Sequence, residues 1–143
     1  MKILVITTFY PHPERKDLLR DTSAVHYIAR EWVKQGHQVT VLHCYGHYFR
    51  ELVKELGKHD FRRYGKIQEC PNNEGVRVLL LEEQFWLRNA KWYLPVQQKK
   101  MAVAINQYFH EKEYEPDVLL VHFPTNYVGI VERLDIHCKK AAG

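Results

Sequence analysis

No glycine precedes Gly36 in this 143-residue chain. That absence excludes two ways of holding a nucleotide at the start of an α/β sheet. A dinucleotide site places Gly-x-Gly-x-x-Gly after the first strand, where the backbone must approach a pyrophosphate closely. A P-loop needs a glycine-rich turn of its own. Cysteine is also scarce: Cys44, Cys70 and Cys138 cannot all pair, and none stands in a Cys-x-x-Cys. A disulfide framework and a zinc signature are therefore excluded, and reduced thiols are expected. His43 and His47 are four residues apart, but Gly46 and the strand end argue against a shared helical face. No carboxylate or cysteine set completes a site around them, His12 or His26, so no metal is expected. Covalent catalysis by Gly-x-Ser-x-Gly or Cys-His has no support either.

Long apolar runs are missing as well, none approaching the ~20 residues of a membrane-spanning helix. The start, Met1 to Ile6, is too short for a signal peptide and lacks a small-residue cleavage site, so a cytoplasmic protein is expected. A large excess of one charge is absent too. The net charge of +4 suits a phosphate-bearing ligand or an anionic membrane surface and is too weak to argue for nucleic acid. What remains is ordinary: 45% apolar and 27% charged residues, enough for the core of one soluble domain.

Lys2 to Thr7 is a continuous aliphatic run, as in a strand buried on both faces. Asp21, Thr22 and Ser23 are N-cap candidates for a helix with Val25, Ile28, Ala29, Trp32 and Val33 at helical spacing, ended by Gly36. Gln38 to His43 reads as a second strand. The unit is βαβ, so the strands are parallel and the crossover right-handed. Phe49, Leu52, Val53 and Leu56 mark a second helix stopped by Gly57. Lys58 to Gly75 is polar and basic and carries no assignment. Val76 to Leu81 reads as a third strand. Pro95 suits the first turn of a helix that buries Met101, Ala102, Ile105, Tyr108 and Phe109. Val118 to Val121 is a fourth buried strand, closing on His122-Phe123-Pro124. Thr125 or Asn126 caps a last helix with Tyr127, Ile130, Val131 and Leu134 on one face.

Strands alternating with helices predict an α/β, Rossmann-like parallel sheet with helices on both faces. The chain stops at Lys139 to Gly143, where a doubly wound sheet would continue with another strand, so it reads as cut short. Ligands of such sheets bind beyond the carboxyl ends of the strands. The loops that matter are Thr8 to Asp21 and His122 to Asn126.

Three segments carry a resemblance. Met1-Lys2-Ile3-Leu4-Val5-Ile6-Thr7-Thr8-Phe9-Tyr10-Pro11 looks like the opening of the retaining glycosyltransferases of family 4, where an aliphatic strand runs into a Phe-Tyr-Pro turn. Trp32 to Leu42 is similar to that family's Leu-x-x-x-Gly-His-x-Val-x-Val pattern. Pro116 to Pro124 resembles its Pro-Asp-Val-Ile-x-x-His strand. The middle, from about His47 to Tyr93, carries no match.

The resemblance implies the N-terminal half of a GT-B fold, with residues 1–143 as the acceptor-side domain. The nucleotide-sugar domain, with its Glu-x7-Glu motif, is absent from the chain. The whole enzyme would move a hexosyl group from a nucleotide sugar to a glycan or lipid-linked acceptor, in polysaccharide or glycoconjugate assembly. The fragment alone would be inactive. The donor is a co-substrate, and no cofactor is implied.

The family places a histidine like His122 near the transferred sugar; the bland reading is a strand-end cap. Many members carry paired glycines in the first loop that approach the donor diphosphate. This sequence offers Arg15, Lys16 and Arg20 instead, with Asp21 and Thr22 at the helix start; the bland reading is a solvated loop. Thr125, Asn126 and Tyr127 are candidates for the acceptor wall. Phe85 to Leu94 mixes aromatic and basic residues. It reads first as a segment whose aromatics enter the core, and second as a peripheral contact with the inner face of the membrane or a grip on a lipid-linked acceptor. The alternative from another class is a non-catalytic, flavodoxin-like binding or interaction module. An epimerase-like GT-B enzyme shares the fold and differs in needing no acceptor.

Overall fold

Lys2–Thr7 (β1) is aliphatic and β-branched, and from Ile3 to Thr7 every residue is buried. A computed structural model describes residues 1–12, 23–48, 64–85, 91–122 and 128–142. The expected helix over Phe49 to Leu56 and the caps Thr125 and Asn126 lie outside these residues.

Ala24–Lys34 (α1) follows β1 and turns Val25 and Ala29 onto the sheet. Ile28, expected on the same face, is 47% exposed, because it stands roughly a quarter-turn from Ala29. The helix closes with a Schellman motif. Gly36, at φ 89, lets its own N–H donate to the Val33 carbonyl (3.0 Å) and the His37 N–H donate to the Trp32 carbonyl (3.0 Å).

Gln38–Tyr48 (β2) pairs parallel with β1, from Lys2 opposite Gln38 to Thr7 opposite His43. It does not end at His43 as expected. Cys44 to Tyr48 continue the strand past the end of β1 by about 16 Å. Ile67–Asn73 (β3) and Val76–Phe85 (β4) form an antiparallel hairpin, and β4 pairs parallel with β2.

β3 corrects the expectation of an all-parallel sheet. Its residues gave no strand signal because it is an edge strand with polar side chains and Pro71. The pairing slips between Cys70 and Asn73, around that proline, which lacks a ladder donor and blunts the edge. β4 also outruns its expected end at Leu81. Glu82 and Glu83 look like surface residues, yet both are buried.

Leu94–Glu111 (α2) has Pro95 in its first turn and buries Met101, Ala102, Ile105 and Phe109. Val118–His122 (β5) pairs parallel with the other side of β1. Asp117 pins the two starts together: its carboxylate accepts the Lys2 N–H (2.6 Å), and its own N–H donates to the Lys2 carbonyl (2.8 Å). Val128–Arg133 (α3) leads to Lys139–Ala142 (β6), parallel to β5.

β6 corrects the expectation that no strand follows the last helix. Lys139-Lys140-Ala141-Ala142 has no apolar period, but backbone pairing with β5 satisfies its N–H and C=O groups without one. Phe85 is in the core as expected, whereas Trp92 is 73% exposed, against the expectation that the aromatics of this stretch are buried.

The strand order is β3-β4-β2-β1-β5-β6. Side-chain alternation splits the core in two. Ile3, Val5, Val39, Val41, Val76 and Val78 face α1. Leu4, Ile6, Leu42, Leu79, Leu119 and Val121 face α2 and α3. This is an α/β fold with a mostly parallel mixed sheet and helices on both faces, compatible with a Rossmann-like domain. Without β3, the order follows the Rossmann sheet across its switch point, with two strands on each side of β1, and not the flavodoxin order. Among the described residues no helix is long and apolar enough to cross a membrane.

Candidate functional site

The chain runs from β1 outward to β2 and β4, then crosses to β5 on the other side of β1. The switch point, where α/β sheets open a crevice, therefore lies between the carboxyl ends of β1 and β5. Thr7 ends β1 and His122 ends β5, and the two are register partners. On the other side Thr7 is partnered by His43. The alternation puts His43, Thr7 and His122 in one row, on the α1 face of the sheet.

The network assigns the tautomers. The Phe9 N–H donates to Thr7 Oγ1 (3.1 Å), and the Thr7 hydroxyl reaches the Phe9 carbonyl (3.2 Å). The remaining lone pair of Oγ1 faces His122 Nδ1 at 3.4 Å, a long hydrogen bond. The arrangement that satisfies all three groups makes Nδ1–H the donor. It leaves His122 Nε2 as an acceptor on the far side of a half-buried ring.

His43 is fully buried, and its Nε2–H donates to the Thr8 carbonyl (3.1 Å). Its Nδ1 therefore accepts, and His12 Nε2–H donates to it across 2.7 Å. The two imidazoles lie edge to edge and nearly coplanar, with centroids 4.9 Å apart and planes 17° apart. The first loop is thus fastened to the strand row through His12.

Beyond this row, on the overhang of β2 and β4, His47 Nε2 lies 3.0 Å from Glu82 Oε1. The Gln68 amide donates to Glu82 Oε2 (3.3 Å), so both oxygens of a fully buried carboxylate are engaged. The rings of Tyr45 and Tyr64 pack on His47. On the opposite face Glu83 sits beside Lys100 Nζ at 3.2 Å. Burial pushes its carboxyl above the ordinary value, and the lysine only partly offsets this.

Of the residues expected at the site, His122 alone falls among the described ones. Arg15, Lys16, Arg20, Asp21 and Thr22, and Thr125, Asn126 and Tyr127, lie outside them. Sequence reasoning missed the His12–His43 pair and the His47–Glu82 pair. A signal for the first was available, since His43 and His122 each close an aliphatic run. The second was hidden because Glu82-Glu83 reads as solvent-facing. Among the described residues no three His, Cys, Asp or Glu side chains are arranged to hold a metal ion.

A groove of about 770 Å³ is lined by Asn106, His110, Tyr114, Asp135 and His137 among others. It lies where β5 and β6 begin, at the rim opposite the histidine row. The row can supply an imidazole acceptor, hydroxyl dipoles and rigid backing strands at the crevice. No family model matches the chain, and no curated protein is similar to it in sequence.

Proposed function

We propose that the chain is the acceptor-side domain of a retaining, nucleotide-sugar-dependent glycosyltransferase of the hexosyltransferase type, the N-terminal half of a GT-B enzyme. The observation that carries this reading is the placement of His122. The histidine of the family-like Pro-Asp-Val-x-x-x-His segment ends β5 beside Thr7, at the switch point between β5 and β1.

On this reading the nucleotide sugar is held by a donor-side domain across the crevice. The acceptor, a glycan or a lipid-linked glycan, lies against the first domain. Departure of the nucleotide diphosphate leaves positive charge on the sugar in an oxocarbenium-like transition state. His122 stabilises that charge through its backbone carbonyl and hydrogen-bonds the sugar through Nε2. Such preorganised dipoles supply the stabilisation without covalent attachment or a metal. The loop with Arg15, Lys16 and Arg20, followed by Asp21 and Thr22, meets the diphosphate in place of the missing glycines. Thr125, Asn126 and Tyr127 wall the acceptor side. The reaction takes place in the cytoplasm, with a peripheral contact at the inner face of the membrane when the acceptor is lipid-linked.

The test uses the full gene product. Release of nucleoside diphosphate from UDP- and GDP-sugars, with and without acceptor, is compared between wild type and His122→Ala. Acceptor-dependent release that falls about a hundredfold or more in the variant supports the reading. Undiminished turnover removes His122 from the mechanism, and a gene product without a second Rossmann-like segment removes the transferase.

A further inference from the structure

Glu74 stands at a place where glutamate is unfavourable. It is the first of two left-handed residues at the tip of the β3–β4 hairpin, with φ 50, followed by Gly75 at φ 84. Such two-residue tips favour Asn-Gly, because asparagine tolerates the left-handed region and glutamate does not. Strain of this kind persists where the side chain does something the turn alone does not need.

The Glu74 carboxylate reaches α1. His26 Nε2 lies 2.7 Å from Oε2, and Arg30 Nη1 donates to both oxygens at 3.3 and 3.4 Å. His26 is buried, and its Nδ1 lies 2.8 Å from the Tyr10 hydroxyl. Glu74 can only accept, so His26 Nε2–H donates to it, and Nδ1 accepts from the Tyr10 O–H. The Asn73 side chain also hydrogen-bonds Tyr10. Tyr10 is 1% exposed, and its ring packs edge-on against both His26 and His12, at 5.7 Å in each case. His12 in turn hydrogen-bonds His43. A continuous set of contacts therefore runs from the hairpin tip, through His26, Tyr10 and His12, to the histidine row at the switch point.

We infer that Glu74 is a positioning residue for the histidine-bearing loop after β1, acting through His26 and Tyr10. Its carboxylate fixes the His26 tautomer, which fixes the direction of the Tyr10 hydroxyl and the seat of its ring. That ring is one wall of the place His12 occupies. The inference concerns the set of the loop, and it stands whether or not the protein transfers sugar.

The experiment follows the imidazole Cε1–H signals of His12, His26 and His43 by NMR in the whole 143-residue chain. The informative variant is Glu74→Asn, which suits the left-handed turn but withdraws the carboxylate from His26. It is expected to melt at or above the wild-type temperature while the His12 and His43 signals move by more than their line width. Tyr10→Phe should move the same two signals, and the double variant should move them no further. Glu74→Gln, which keeps an acceptor oxygen at the same reach, should return them towards wild type. His12 and His43 signals that stay in place in Glu74→Asn overturn the inference, as do additive shifts in the double variant. Loss of folding in Glu74→Asn overturns it too, because the carboxylate would then hold the fold and not the loop.

Discussion

Thr7 Oγ1 and His122 Nδ1 meet at 3.4 Å across the two strands that flank the switch point of the sheet. The contact couples the first loop to the end of β5, because the same oxygen also accepts the Phe9 N–H. Thr7→Val keeps the shape and removes the oxygen. The half-buried Phe9 turn then loses a partner, and stability should fall by about 1 kcal/mol in urea unfolding. The His122 ring loses its tether, so its signals in NMR spectra should broaden or shift. An unchanged ring signal would show that the tether does not orient His122.

Gly65 and Gly36 make a controlled pair, since both have positive φ, 73 and 89 respectively. An added Cβ at Gly36 meets nothing within 4 Å, whereas at Gly65 it comes 2.7 Å from Glu83 Oε1. Gly36→Ala should cost roughly 1–2 kcal/mol from the backbone alone. Gly65→Ala should cost more, and the excess should shrink when Glu83 is truncated to alanine. Urea midpoints of wild type, the two glycine variants, Glu83→Ala and the Gly65→Ala/Glu83→Ala double variant give both numbers. Equal costs for the two glycines would show that Glu83 moves aside freely.

Glu83 should give stability a pH dependence of a definite sign. Its Oε2 has no aligned hydrogen bond among the described residues, and burial raises the carboxyl above its ordinary value. A raised folded-state value means that the folded chain holds the proton more tightly than the unfolded one. Its contribution is therefore most favourable at low pH and is lost as pH rises from the ordinary glutamate value through the raised one. Glu83→Gln does not titrate, so its stability relative to wild type should rise across that window. Urea midpoints from about pH 4 to about pH 8 test this. A wild type that gains on the variant as pH rises would show that the Lys100 ion pair outweighs the burial.

Cys44 should separate kinetically from the other two thiols. Burial pushes the Cys44 thiol to about 12, and the side chain is 1% exposed. Cys70 and Cys138 are in no disulfide and are half-buried, and burial raises the Cys138 thiol to a lesser degree. A thiol reagent at neutral pH should therefore modify Cys70 and Cys138 in the native protein and Cys44 only on unfolding. Rapid loss of all three thiols in the native protein would place Cys44 outside the core.

Long-period signals were legible in the residues alone. The aliphatic runs Lys2 to Thr7 and Val118 to Val121, the glycine after α1 and the proline at the start of α2 each appear where expected. Each is a local rule: two-sided burial demands apolar runs, and helix ends demand special backbone. Edge strands obey no such rule. β3 and β6 are each held by backbone pairing with a single neighbouring strand, so their own residues did not announce them.

The site divides in the same way. By itself the sequence determined that no glycine loop holds a phosphate after β1, and that a histidine closes the strand now seen as β5. Tertiary structure decided which groups stand together. The crossover brings Thr7 between His43 and His122, and the hairpin tip carries Glu74 to His26 beneath Tyr10. The physical reason is that strand register and side-chain alternation are properties of pairs of segments. A residue's neighbour across a sheet is set by backbone hydrogen bonds between strands, which no single stretch of chain encodes.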